Sequence, residues 1–328
     1  MLPLRKLGSQ GLEVAAIGLG CMGMSASYGQ ADDAESIATV HHALDHGVTL
    51  FDTAAVYGPF TNEDLLGRAL KGRRESAVIA TKFGYDFVDG QFAGLNSRPD
   101  NIRASIEESL RRLQTDHIDL YYQHRIDPNV PIEDVAGAVG DLVREGKVRY
   151  LGFCEIGVAT IRRAHATFPV SAVQSEYSLW ERNLEADVVP VLRELGIGLV
   201  PFSPLGRGFL TGVVKRAEEY PENDFRRGDP RFQGANFDAN VHAAQVVQEI
   251  AAAHGAKPAQ VAIAWLLQRG DDIVPIPGTK RRTYLQDNID AARLRLARDE
   301  IARLDTALDA SRVSGPRFSE AHMALVDR

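Results

Sequence analysis

Asp52, Tyr57, Lys82 and His124 are a carboxylate, a phenol, an ammonium and an imidazole, and each stands at or just past the end of a short apolar run that reads as a β-strand. The runs cover 48–51, 77–81 and 118–122, with stretches of helical pattern between them. Parallel strands in one sheet point their carboxyl ends the same way, so the four side chains can converge there. A phenol beside an ammonium suits proton donation: its ordinary pKa lies near ~10, and a cation that stabilises the phenolate lowers it, each unit being worth ~1.4 kcal/mol. Lys82 is the candidate cation, Asp52 would keep it charged and oriented, and His124 would orient a carbonyl or relay the proton. The set suits protonation of a carbonyl oxygen while another group attacks the carbon. The plainer alternative is an ion pair between Asp52 and Lys82 at a sheet rim, with Tyr57 a loop aromatic, because ion-pair networks also perturb titration. Their joint placement at strand ends favours chemistry. The sequence shows no nucleophile with an evident base and no metal-ligand spacing.

The elements that must position these residues alternate almost without a break. Strands are expected at 17–20, 48–51, 77–81, 118–122, 149–153, 172–174, 198–202 and 272–275. Helices are expected at 32–45, 62–70, 100–113, 132–145, 158–165, 184–195, 241–254 with 258–268, and 281–288. Eight strands with intervening helices predict an α/β fold closed as a (β/α)8 barrel rather than an open sheet. Asp100 is placed to cap the third helix, whose Ile102, Ile106, Leu110 and Leu113 form one stripe, and Gly146 supplies a stop to the next. An N-terminal β-hairpin, 4–7 and 12–15 about a turn at 8–11, is placed to plug the barrel's bottom. Residues 1–328 are thus expected to form one barrel domain, with the hairpin within 1–16, a cofactor or substrate loop at 206–240 and a tail at 310–328. Three long insertions, 84–99, 206–240 and the tail, follow strand ends, where a barrel keeps its chemistry; any one alone could be solvated loop.

Composition excludes several classes. The 328 residues are 45% hydrophobic and 25% charged, ordinary globular values, and the net charge of −7 with no basic block argues against nucleic acid. The start of the chain carries Arg5, Lys6 and Gly8 rather than a long apolar core, and no window is long and apolar enough for a membrane span, so neither export nor a membrane is expected. Two distant cysteines, Cys21 and Cys154, fit buried small hydrophobes in a reducing cytoplasm. Nothing in the sequence indicates an oligomer.

Two motifs are set aside. Gly18-Leu19-Gly20-Cys21-Met22-Gly23 has dinucleotide-fold spacing, but helical period begins only near Asp32, so the glycines read as a tight loop atop strand one. His42-Ala43-Leu44-Asp45-His46 imitates a zinc motif; with Ile37, Leu44 and Val48 on the buried stripe, both histidines face solvent, away from the strand ends.

The segments Leu50-Phe51-Asp52-Thr53-Ala54-Ala55-Val56-Tyr57-Gly58, Ala80-Thr81-Lys82, Asp119-Leu120-Tyr121-Tyr122-Gln123-His124 and Gly146-Lys147-Val148-Arg149-Tyr150-Leu151-Gly152 resemble, in order, the signatures of aldo-keto reductases. The resemblance runs from about residue 7 to residue 288. It implies a (β/α)8 barrel that reduces small-molecule aldehydes or ketones with NADP(H), with Tyr57 as general acid, Lys82 and Asp52 as its tuning pair and His124 orienting substrate. It further implies that Gln174 holds the cofactor's carboxamide, that Phe202 stacks on nicotinamide, and that Ser203, Leu205 and Arg207 lie along the pyrophosphate. Gly278, Thr279, Lys280, Arg281, Asp287 and Asn288 would hold the adenosine end, with Thr279, Lys280, Arg281 and Arg282 meeting a 2′-phosphate. Two departures stand out. Cys154-Glu155 replaces the usual Ser-Asn, weakening the carboxamide contact because a thiol is a poor donor, and Tyr284 stands where many members have arginine. Loops bearing Met24, Tyr28, Tyr85, Phe87 and Trp180 would frame the substrate pocket and suit an apolar or aromatic carbonyl. Potassium-channel β subunits resemble the same family, so a cofactor-loaded regulatory barrel is the alternative function.

Overall fold

The computed structural model describes residues 2–88 and 90–327. An antiparallel hairpin, β1 (Leu4–Leu7) and β2 (Leu12–Ala15), opens the chain, followed by β3 (Leu19–Gly20), α1 (Asp33–Asp45), β4 (Leu50–Asp52), α2 (Thr61–Leu70) and β5 (Val78–Phe83). Next come a second hairpin, β6 (Tyr85–Val88) and β7 (Gln91–Leu95), then α3 (Pro99–Leu113), β8 (Ile118–Gln123), α4 (Ile132–Arg144), β9 (Val148–Cys154) and α5 (Val158–Thr167). The remainder is β10 (Val170–Glu176), α6 (Val188–Leu195), β11 (Gly198–Phe202), α7 (Gly234–Ala253), α8 (Pro258–Leu267), α9 (Arg282–Asp290), α10 (Arg298–Ala307) and α11 (Glu320–Met323).

Seven strands run parallel in the order β3-β4-β5-β8-β9-β10-β11. The expected eighth strand, 272–275, is not a regular strand. It closes the barrel through isolated bridges, Leu199 with Ile273 and Gly20 with Gly278. Val274 and Ile276 donate to Leu199 and Pro201 at 2.9 and 3.0 Å, but Pro275 and Pro277 have no N–H to offer the other neighbour, which leaves the ladder partial. Gly20 is required at this seam: a Cβ there would come within 2.9 Å of the Ile276 carbonyl oxygen.

Alternation along the strands builds the interior in layers. Leu50, Ala80, Leu120, Ala172 and Val200 fill the barrel with Leu7, Leu12 and Val14 of the first hairpin beneath them. Two residues further along those five strands, on the same face, lie Asp52, Lys82, Tyr122, Gln174 and Phe202, joined by Cys154 at the end of β9. The upper layer is therefore where apolar filling gives way to polar side chains. Arg5 fixes the hairpin by donating to the carbonyls of Gly270, Ile273 and Leu267.

The helices pack outside. In α3 the expected stripe Ile102, Ile106, Leu110 and Leu113 is buried, but Arg98 is the N-cap, with Pro99 at the first helical position, and Asp100 lies inside the first turn. Proline at that position needs no donor, which displaces the cap by two residues. α4 ends at Arg144 with Gly146 at φ +79°, as a glycine stop requires. α1 buries Ser36, Thr39, Val40 and Ala43, a stripe rotated from the expected one. Its His42 bonds Gln286 at 3.0 Å and lies 3.9 Å from the His46 ring on the barrel's outside. The first insertion, expected as loop, holds the β6–β7 hairpin, and α7 begins at Gly234, inside the expected 206–240 loop.

Candidate active site

Lys82 is the hub of the polar layer. Its Nζ donates to Asp52 Oδ1 at 2.6 Å, to the Thr53 carbonyl at 2.7 Å and to Tyr57 Oη at 3.3 Å. Gln174 Nε2 donates to the other Asp52 oxygen at 2.6 Å, so the carboxylate is held on both sides. Tyr57 arrives from the β4–α2 loop and stands edge-on to His124, with ring centroids 5.9 Å apart. The Tyr85 ring packs on His124 at 4.9 Å, continuing the wall. Behind β5, Thr81 donates to Glu63 Oε1 at 2.6 Å and Arg112 to Glu63 Oε2 at 2.7 Å, a buried brace that fixes the strand carrying Lys82.

The electrostatics follow from burial and contact. Burial opposes charge on Lys82, but Asp52, with Tyr57 and Cys154 adding to it, more than offsets this and holds the ammonium above its ordinary value. Burial pushes the Asp52 carboxyl up, against the pull of Lys82. Tyr57 differs from the expectation of a lowered pKa: burial outweighs Lys82 and the phenol is pushed up to about 12. It therefore keeps its proton at rest, as a general acid at neutral pH must. His124 is held well below its ordinary value by burial, with Arg125 and Lys82 adding to the effect, so the ring is neutral and suited to directing a hydrogen bond.

The other expected site residues are placed as follows. Phe202 ends β11, half-buried, and Ser203 follows at φ +49°. Leu205 is half-buried and Arg207 is buried, its guanidinium bound to Glu176 at 2.9 Å and to Asp229, rather than open to solvent. Gly278 bridges Gly20, and the Thr279 Oγ accepts from the Arg281 amide at 3.2 Å. Lys280 donates to the carbonyls of Tyr28 and Gln30 at 2.8 and 2.6 Å. Asp287 pairs with Lys257 at 2.7 Å, and Asn288 is buried in α9. Met24 is buried in the core, Tyr28 faces the Arg226 guanidinium at 5.2 Å, Phe87 packs on Phe60 at 5.3 Å, and Trp180 is buried against Phe209 at 4.4 Å. Cys154 lies in the polar layer and Glu155 turns away to pair with Arg317 at 2.5 Å. Sequence reasoning missed the Thr53 carbonyl, which accepts from Lys82, and Tyr122 in the same layer. Stepping two residues from Asp52 and Lys82 across the register would have flagged Tyr122, which is paired opposite Lys82.

A dinucleotide finds suitable groups here. Lys280, Arg281 and Arg282 gather at the N-terminus of α9, where the helix dipole favours phosphate; Glu35 already holds the Arg282 amide at 3.2 Å and its guanidinium at 2.9 Å, which leaves Lys280 and Arg281 as the cations without a carboxylate partner among the described residues. Burial and then the Arg281 charge lower the Lys280 pKa, a crowding that an anion would relieve.

A nearly closed parallel barrel that carries a lysine-tethered phenol and a neutral histidine at its carboxyl end defines a carbonyl-directed oxidoreductase class. The chain belongs to the aldo/keto reductase family, whose profile matches residues 16–309. It is 46% identical over 320 residues to a probable aldo-keto reductase from Glycine max, covering 95% of this chain and 91% of that one. Among solved structures it is similar to a glycerol dehydrogenase from Gluconobacter oxydans, with 28% identity, TM-score 0.86, and 97% and 98% of the two chains covered. It is likewise similar to a thermostable aldo-keto reductase in complex with the inhibitor epalrestat, with 28% identity, TM-score 0.76, and 93% and 100% covered. Members of the family generally use nicotinamide cofactors.

Proposed function

We propose that this protein reduces the carbonyl group of small-molecule aldehydes or ketones to an alcohol with NADP(H), Tyr57 giving the proton. The carrying observation is the chain of contacts from Asp52 through Lys82 to Tyr57, beside a neutral His124. The chemistry required of the bound cofactor is delivery of a hydride to the carbonyl carbon. As charge gathers on the carbonyl oxygen, the Tyr57 Oη–H transfers its proton there, and Lys82 stabilises the phenolate left behind. His124 donates to the same oxygen and fixes its position, while Asp52 and Gln174 hold Lys82 in line. Gln174, Phe202, Ser203 and Leu205 are the proposed nicotinamide and pyrophosphate contacts, with Arg207 bracing that loop through Glu176 and Asp229. Thr279, Lys280 and Arg281 are proposed to hold a 2′-phosphate. Supporting this, Lys280 and Arg281 have no carboxylate partner among the described residues, and phosphate suits such cations better than a hydroxyl does. No helix among the described residues is long and apolar enough to cross a membrane, and two free buried cysteines agree with a reducing cytoplasm.

Tyr57→Phe tests the reading. Cofactor binding, followed by quenching of NADPH fluorescence, should persist, while reduction of a test aldehyde falls by about 100- to 10,000-fold. Reduction at the parent rate would remove Tyr57 from the mechanism.

A further inference from the structure

Arg125 follows His124 directly, and no salt bridge neutralises its charge among the described residues. Its Nη1 donates to the His124 carbonyl at 2.7 Å, while its Nε is buried with no hydrogen-bond partner. No carboxylate lies within ion-pair reach of it among the described residues. Acids at this end of the barrel have other partners. Asp52 holds Lys82 and Gln174, Asp127 accepts from the Ser97 amide at 3.0 Å and the Asn129 amide at 2.9 Å, Asp86 accepts from the Phe87 amide at 3.0 Å, and Glu155 pairs with Arg317. The contact with the His124 carbonyl places the guanidinium just past the carboxyl end of β8, beside the residue that carries the catalytic imidazole, and its charge reaches His124, Tyr85 and the Cys154 thiol. The residue is only half-buried, so its guanidinium is open to a ligand from solvent.

We infer that Arg125 is a specificity-determining residue that selects carbonyl substrates bearing an anionic group, a carboxylate or a phosphate, a few bonds from the reacting carbon. This deepens the reductase reading and rests on it. An unpaired, partly desolvated guanidinium is costly to maintain without a partner and offers a planar fork matched to a carboxylate or phosphate. An aromatic wall of Tyr57, His124 and Tyr85 beside it accommodates the carbon skeleton, so the site is apolar except at its two polar ends.

The probes are para-formylbenzoate and its methyl ester, which share a skeleton and differ in charge, with para-formylphenyl phosphate separating carboxylate from phosphate preference. The parent is expected to favour the anions in kcat/KM by about 10- to 100-fold, the range for one charge-assisted contact. Arg125→Met should bring the ratio near unity through the KM of the acid, and Arg125→Lys should restore part of it. Calorimetric binding of benzoate, read separately from turnover, should weaken by a similar factor in Arg125→Met. Equal kcat/KM for acid and ester in the parent, or benzoate binding unchanged by Arg125→Met, would overturn the assignment. If neither aldehyde is reduced, the reductase reading fails while calorimetry still decides the role of Arg125.

Discussion

Replacing Lys82 with methionine keeps the length of the side chain and removes its charge, and the structure sets two separate consequences. The first concerns turnover. A unit charge 3.3 Å from Tyr57 Oη stabilises the phenolate by up to about 5 kcal/mol at an effective dielectric near 20, part of which Asp52 cancels. A loss of about 100-fold or more in single-turnover reduction is expected. The second concerns stability. Asp52 is left buried with Gln174 as its side-chain donor, at a cost of about 3–5 kcal/mol. Burial already raises the Asp52 carboxyl, and loss of Lys82 raises it further. A raised folded pKa contributes stability that is present below the unfolded value and lost as pH rises towards the folded one. Above the pH at which the parent's Asp52 ionises, the variant should therefore lose stability relative to the parent by about 1.4 kcal/mol per pH unit. Urea unfolding at closely spaced pH values between 5 and 9 reads this slope. Adding Asp52→Asn should recover most of the stability and flatten the slope without recovering turnover. Parallel pH profiles for parent and Lys82→Met would show that the pair is not coupled as its geometry requires.

Glu176 is buried, which pushes its carboxyl up to about 7 against the pull of Arg207 and Arg317; its contribution is present at acid pH and lost as pH rises towards 7, so Glu176→Gln should flatten the decline of Tm between pH 5 and 7. Arg5→Met removes the donor to three carbonyls at the barrel's bottom and should lower unfolding free energy by about 2–4 kcal/mol while leaving kcat within twofold, measured by urea denaturation alongside turnover. Lys280→Met combined with Arg281→Met should raise the Kd for NADPH by about tenfold or more and that for NADH far less; equal changes in fluorescence titrations would place the 2′-phosphate elsewhere.

The barrel was legible because its signals are local. Short β-branched runs and capped amphipathic helices recur from residue 17 to residue 288, and the parallel order follows from their alternation. The meeting of Asp52, Lys82, Tyr57 and His124 was legible for the same reason: all four stand at strand ends. What the sequence hid depends on burial and long-range contact. The Tyr57 pKa moves up rather than down because the desolvation of a phenol is set by what packs over it. Arg207 reads as a phosphate ligand by position, yet Glu176 and Asp229 claim it from distant parts of the chain. The partial eighth strand was concealed by two prolines that interrupt donation without interrupting the apolar pattern. α10 went unread, since only Leu304 is buried along its length and a weak stripe gives little period.

The seam between residues 20 and 278 has a consequence for biogenesis. Until the 272–278 segment emerges and docks, β3 and β11 are both bare sheet edges with unpaired backbone groups. A nascent chain halted before that point presents an open template for pairing with other strands. The first and last crossings of the barrel must find each other across nearly the whole polypeptide, so final closure is a slow, post-synthetic event. Truncations upstream of residue 278 should accordingly partition into inclusion bodies rather than yield a smaller soluble protein.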